Sequence, residues 1–276
     1  MTSPRRNLIR LPGERAFAWT EWGPPAGRPV IFCTGAGMSG SLGFGEDLLD
    51  AFGLRLIAPD RPGLGRSAPD ATRTLASWLA DIRHLDLTDP VAVGFSQGAP
   101  FALALSPLVA AITIVCGQDD FGWPATASRL PAEVAAMVAE ARRDPAGFER
   151  QIAGTATAGW LWTMIMTMSA PADRAVFEAP GFGGRYRACL DEGFAQGAAG
   201  YARDLVLTWN DWPMAPEVVA APVQLWYGRQ DTSPVHSPDF GATLARRLPR
   251  ATLNVVEDQG SAILWTRARD ILAGLR

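Results

Sequence analysis

Short, almost uninterrupted apolar runs alternate along this chain with longer stretches of helical spacing. Residues 29–33 are apolar on both faces, as a strand covered on both sides of a parallel sheet must be, and similar runs recur at 54–60, 91–95, 111–116, 223–228 and 252–256. Residues 15–22 alternate loosely and stop at Gly23-Pro24-Pro25, which predicts an early antiparallel strand and its turn. Helical spacing occupies 74–87, and a last helix starts from about Leu264. From about Phe121 to Trp212 the strand pattern disappears, leaving helical stretches at 131–143, 148–168 and 186–196. The order predicts an α/β fold with a mostly parallel twisted sheet and helices on both faces. Residues 1–120 and 213–276 would form the core, and 121–212 a helical insertion lying as a lid over the C-terminal edge of the sheet.

One stretch carries candidate chemistry. Residues 91–105 read as strand, tight turn and helix, with Ser96 at the turn and Gly94 and Gly98 on either side at G-x-S-x-G spacing. A serine forced into so sharp a bend needs neighbours without a Cβ. The bend lifts its hydroxyl above the sheet, and the following helix aims its first N–H groups at negative charge developing there, a geometry suited to acyl transfer.

Composition narrows the classes. A formal net charge of −3 without a basic run argues against nucleic acid or an anionic membrane surface as partner. After Arg5-Arg6 the apolar residues are too few and too broken for a signal segment, and no run of about eighteen apolar residues occurs, so a cytoplasmic location is expected. Cys33, Cys116 and Cys189 are unclustered, which fits free thiols and no zinc site. With no phosphate-cradling Gly-Lys motif or metal-ligand cluster, neither metal nor cofactor is expected. Ten Trp and seven Met are many large, soft side chains, suited either to core packing or to lining a roomy apolar pocket.

Several phrases together resemble the α/β-hydrolase fold superfamily over essentially the whole chain. They are Gly94-Phe95-Ser96-Gln97-Gly98, the turn from Asp60 to Ser67, Glu192-Gly193-Phe194-Ala195-Gln196-Gly197, and Tyr227-Gly228-Arg229-Gln230-Asp231 followed by Pro234. The resemblance implies Ser96 as nucleophile and Asp231 as the carboxylate that orients a histidine; a turn or cap residue is the plainer reading of Asp231. It also implies an oxyanion hole from the N–H groups of Gln97 and Ala36, with Thr34-Gly35 standing where the family usually has His-Gly. The fold hosts many reactions and some non-catalytic receptors, so it implies no single one.

The family's histidine belongs in the loop after the last strand, and there this chain has Ser261, which has no basic state near neutral pH. Only two histidines exist: His84, read as a helix-surface residue, and His236, five residues after Asp231. His236 reads either as a relocated base, oriented by Asp231 or by Asp119 or Asp120, or as a packing or capping residue of the next helix. Three accounts stand: a hydrolase whose base is His236, a hydrolase disabled at position 261, or a lyase, cyclase or ligand-binding protein using the same pocket.

Residues 160–168, Trp-Leu-Trp-Thr-Met-Ile-Met-Thr-Met, put apolar side chains on more than one helix face, which predicts a helix buried on most sides that partly roofs the pocket. Trp160 is therefore a candidate substrate contact, alongside Trp123, Trp209 and Trp212 near the ends of the insertion. The expected function is turnover of a bulky apolar ester, lactone or related carbonyl compound, a small apolar molecule as partner, with a homodimer left open.

Overall fold

The computed structural model describes residues 3–275. Eight strands form one sheet: β1 (Arg5–Arg10), β2 (Ala16–Trp22), β3 (Arg28–Cys33), β4 (Leu54–Pro59), β5 (Val91–Phe95), β6 (Ile112–Val115), β7 (Val223–Gly228) and β8 (Ala251–Val256), in the order β1-β2-β4-β3-β5-β6-β7-β8. β1 to β2 and β2 to β4 are antiparallel, and every later pairing is parallel. The expected α/β architecture is present.

Strand alternation divides the core between two faces. Val30 and Phe32 of β3 join one apolar cluster with Leu56 and Val93, while Ile31 and Cys33 join another with Ile112 and Leu225. On the first face lie α1 (Leu49–Phe52) and, near the chain's end, α12 (Ile263–Thr266) and α13 (Ala268–Ala273). The second face carries α2 (Leu75–Arg83), α3 (Gly98–Ala104) and α11 (Ala242–Arg247). Thr74 and Ser77 start α2 by exchanging side-chain hydrogen bonds with each other's backbone N–H.

Between β6 and β7 come α4 (Pro124–Ala127), α5 (Ala132–Arg143), α6 (Pro145–Thr155), α7 (Ala158–Met168), α8 (Pro171–Phe177), α9 (Phe182–Gly193) and α10 (Ala199–Trp209). Three details depart from the sequence expectation. The single helix expected over 148–168 is two, because the Thr157 hydroxyl accepts from Trp160 N at 3.1 Å and starts α7 afresh. In α7 itself only Leu161 is fully buried: Gly159, Thr163 and Thr167 face outward, so this apolar helix separates a cavity from solvent and is not enclosed on most sides. Strand β1 carries little apolar signal, since only Leu8 and Ile9 of its residues are apolar and none is fully buried.

The parallel sheet reverses its winding between β3 and β5, with β4 on one side and β6 on the other. Loops leaving the C-terminal ends of these two strands part there and leave a crevice, the usual ligand position in an open α/β sheet. Among the described residues, no helix is long and apolar enough to cross a membrane.

Candidate active site

Ser96 is the first residue past β5 and has φ +52°, a left-handed conformation costly for a side chain with a Cβ. Backbone bonds hold it there: Ser96 N donates to Val115 O at 3.1 Å, and Ser96 O accepts from Ala99 N at 3.1 Å and Gln118 N at 3.0 Å. The flanking glycines are demanded by contact. A Cβ at Gly98 would lie 2.0 Å from Cys33 O, and one at Gly94 2.8 Å from the Ala102 Cβ and from Gly98 O.

The loop after β7 brings two further groups to this serine. His236 Nε2 is 2.8 Å from Ser96 Oγ, and His236 Nδ1 is 2.7 Å from Asp231 Oδ2. A carboxylate only accepts, so Nδ1–H donates to Asp231 and Nε2 is left to accept from the serine hydroxyl. The other Asp231 oxygen accepts from Ser233 N at 2.9 Å, which fixes the carboxylate in the turn. Both side chains are shielded, at 8% exposed for His236 and 3% for Asp231.

Neighbouring strand ends hold the same loop. Ser237 N donates to Gly117 O at 3.0 Å, and the Ser237 hydroxyl donates to Asp119 Oδ2 at 2.9 Å while accepting from Gly241 N at 2.9 Å. Burial pushes the Asp119 carboxyl up to about 6. Asp119 therefore holds the residue after the histidine and does not contact the imidazole. Asp120 pairs instead with Arg247 at 2.8 Å, and His84 is the exposed residue at the end of α2.

Ser261, in the loop after β8, borders the same cavity, and its backbone fixes it there. Asp173 of α8, 1% exposed, accepts from Ser261 N at 2.9 Å and from Ala262 N at 2.8 Å. The Ser261 hydroxyl makes no hydrogen bond to Ser96, His236 or Asp231.

The loop after β3 is organised by Arg61, a buried side chain that the sequence marked only as part of a turn. Its Nη1 donates to Thr34 O at 2.7 Å, its Nη2 to Gly35 O at 2.9 Å, and its Nε to Asp204 Oδ2 of α10 at 2.7 Å. Arg73 reaches the other Asp204 oxygen at 2.5 Å, so two guanidinium groups share one carboxylate that is 0% exposed. Breaking such a buried set by removing one member costs about 3 to 5 kcal/mol. The partners are far apart in sequence, and nothing local to either announces the pairing.

A cavity of about 370 Å³ opens over these groups. Ala36, Ser96, Gln97, His236 and Ser261 border it on the sheet side. Opposite stand Trp160, Leu161, Met164, Ile165 and Met168 of α7, with Tyr186, Tyr201, Leu205 and Trp209 of α9 and α10. Trp160 is 40% exposed at the rim, 6.4 Å from the Tyr201 ring, and Trp209 is buried. Trp123 and Trp212 pack elsewhere: the Arg247 guanidinium sits 3.9 Å over the Trp123 ring, and Trp212 Nε1 donates to Thr208 O at 3.0 Å. Among the described residues, no protein acceptor takes up the N–H of Ala36 or of Gln97. Chemically, a hydroxyl bonded to a carboxylate-held imidazole beside unpaired N–H donors can attack a carbonyl while its proton is removed.

Solved structures share this fold. A bromoperoxidase from Bacillus anthracis matches with TM-score 0.73 at 16% identity, over 98% of this chain and 98% of that one. An esterase from Exiguobacterium antarcticum matches with TM-score 0.70 at 17% identity, over 97% of each chain. An enol-lactonase from Burkholderia xenovorans matches with TM-score 0.70 at 16% identity, again over 97% of each. No curated protein matches the chain in sequence. The sequence model of the alpha/beta hydrolase family matches residues 30–274, and with the sheet order and the strained serine turn already in place, the chain belongs to that family.

Proposed function

We propose that this protein is a serine hydrolase that cleaves a bulky apolar ester or lactone under a helical lid formed by residues 121–212. The hydrogen-bonded series from Ser96 to His236 to Asp231, at 2.8 and 2.7 Å, carries the reading. Ser96 Oγ attacks the carbonyl carbon as His236 Nε2 takes its proton, and the Asp231 carboxylate holds the tautomer and stabilises the imidazolium. Collapse of the tetrahedral intermediate expels the alkoxide, which His236 protonates. In a lactone that alcohol stays tethered to the acyl group. Water activated by the same imidazole then attacks the acyl-enzyme and restores Ser96.

The intermediate's negative oxygen is held by the N–H groups of Gln97 and Ala36. Arg61 makes the second donor effective. Its Nη2 holds the Gly35 carbonyl, and in a trans peptide the Ala36 N–H points the opposite way. A charge-assisted bond to that carbonyl also polarises the peptide and strengthens its N–H as a donor. The names of two solved neighbours, an esterase and an enol-lactonase, support an ester-like carbonyl as substrate. The apolar wall from Trp160 to Met168 supports bulk over charge.

The test is hydrolysis of a panel of aryl esters, with initial burst and steady turnover followed separately for the parent chain, Ser96→Ala and Ser261→His. Turnover by the parent with a burst that Ser96→Ala abolishes is expected. Turnover only after Ser261→His would mean that His236 does not serve as base and that the reading is wrong.

A further inference from the structure

Buried tyrosines normally give their hydroxyl a partner, and in this chain Tyr227 does so, donating to Gly117 O at 3.1 Å. Two others do not. Tyr186 and Tyr201 are 4% and 5% exposed, yet neither hydroxyl hydrogen-bonds to any described residue. Neither oxygen is sealed inside the protein, and the space both residues border is the cavity above Ser96. Burial holds both phenols above their usual range, so each stays protonated and able to donate.

The rings are fixed from behind. Tyr186 on α9 packs against Phe177 at 5.6 Å and Trp265 at 5.7 Å, and Tyr201 on α10 against Phe194 at 5.4 Å. Two ring-packed donors therefore stand on the helical side of the cavity, opposite the serine, where the other bordering side chains are apolar apart from Glu133 and Ser169. Water can satisfy them while the cavity is empty, whereas a hydrocarbon chain filling it would displace that water and leave both hydroxyls unpaired.

We infer that Tyr186 and Tyr201 form a polar subsite for oxygen acceptors that the substrate carries away from its scissile carbonyl. The substrate class narrows from a plain hydrocarbon ester to an apolar ester or lactone bearing a second keto, ether or hydroxyl oxygen. This rests on the hydrolase reading of the same cavity. A site built to hydrogen-bond a substrate group rejects analogues lacking it more strongly than an apolar wall can reject an added methylene.

The experiment compares p-nitrophenyl octanoate with p-nitrophenyl oxo-octanoates whose keto group is moved along the chain. Ratios of kcat/KM are taken for the parent, Tyr186→Phe, Tyr201→Phe and the double variant, and general damage cancels in the ratio. At least one oxo ester should exceed octanoate by about tenfold or more, with each lost hydroxyl that meets its oxygen lowering the ratio by about tenfold. The same esters are titrated calorimetrically into Ser96→Ala protein with and without the two Phe substitutions, giving a ratio of Kd values that needs no turnover. Absence of hydrolysis with the Kd preference intact would sink the hydrolase reading and leave the subsite standing. A ratio near one in the parent, or one that survives in the double variant, would overturn the subsite.

Discussion

His236 and Asp231 are five residues apart on one loop, and the imidazole Nδ1 donates to the carboxylate at 2.7 Å. A histidine that close in sequence to its carboxylate is positioned by a turn, with His236 N donating to Ser233 O at 3.3 Å and Ser233 N to Asp231 Oδ1 at 2.9 Å. If the pair is the relay proposed above, His236→Ala lowers kcat on an aryl ester by about a millionfold and Asp231→Asn by about ten-thousandfold. Stopped-flow and steady-state rates check both. His236→Ala turning over within tenfold of the parent would remove the imidazole from the mechanism.

Arg61 is expected to act on the rate and not on substrate affinity. Arg61→Lys keeps the charge but loses the fork that spans Thr34 O, Gly35 O and Asp204, so the Gly35–Ala36 peptide is no longer held. A fall in kcat of about tenfold to a hundredfold is expected, below the full cost of deleting one oxyanion donor, with KM changed little. A raised KM with kcat unchanged would assign Arg61 to binding instead.

Asp119 gives a pH signature in stability. Its folded carboxyl, raised by burial to about 6, binds its proton more tightly than the unfolded chain does at the ordinary 3.8. Its contribution is therefore fully present below about pH 4 and is lost as the pH rises through about 6, a change on the order of 3 kcal/mol. Thermal melts of the parent and Asp119→Asn between pH 4 and 7 should show the parent losing ground to the variant across that window. Parallel curves would contradict the assignment.

Gly98 and Gly159 offer a matched pair of substitutions. Gly98→Ala puts a Cβ 2.0 Å from the Cys33 carbonyl oxygen, which is backbone and cannot swing aside, and should cost about 4 kcal/mol or more. Gly159 is exposed in α7, an added methyl there would have nothing within 4 Å, and Gly159→Ala should raise stability by up to about 1 kcal/mol. Denaturant melts of both variants decide it.

Strands β3 to β6 were legible because each is an apolar run covered on both faces, and the turn at Ser96 because its glycines are required within four residues of one another. β1 was not legible because only Leu8 and Ile9 of its residues are apolar, too few to form a run or an alternation. The histidine could be narrowed to two residues by counting alone, but its place depended on a turn closing between Ser233 and His236, which no apolar period encodes. Arg61 with Asp204, Asp173 with Ser261, and the two free tyrosine hydroxyls are relations between residues far apart in the chain, and local spacing carries no trace of them. The one helix expected over 148–168 failed for a local reason, since Thr157 competes for the backbone N–H groups that a continuous helix would have used.

The shared loop of His236 and Asp231 has a consequence for how this site is laid out along the chain. Both groups lie in the six-residue stretch from Asp231 to His236, so in the mechanism proposed above base and acid travel together on one short segment. In that mechanism the loop after β8 takes no part in proton transfer, and its backbone is fastened to α8 through Asp173. The chemistry of that mechanism and the fastening of the helical layer then fall on different segments of the chain.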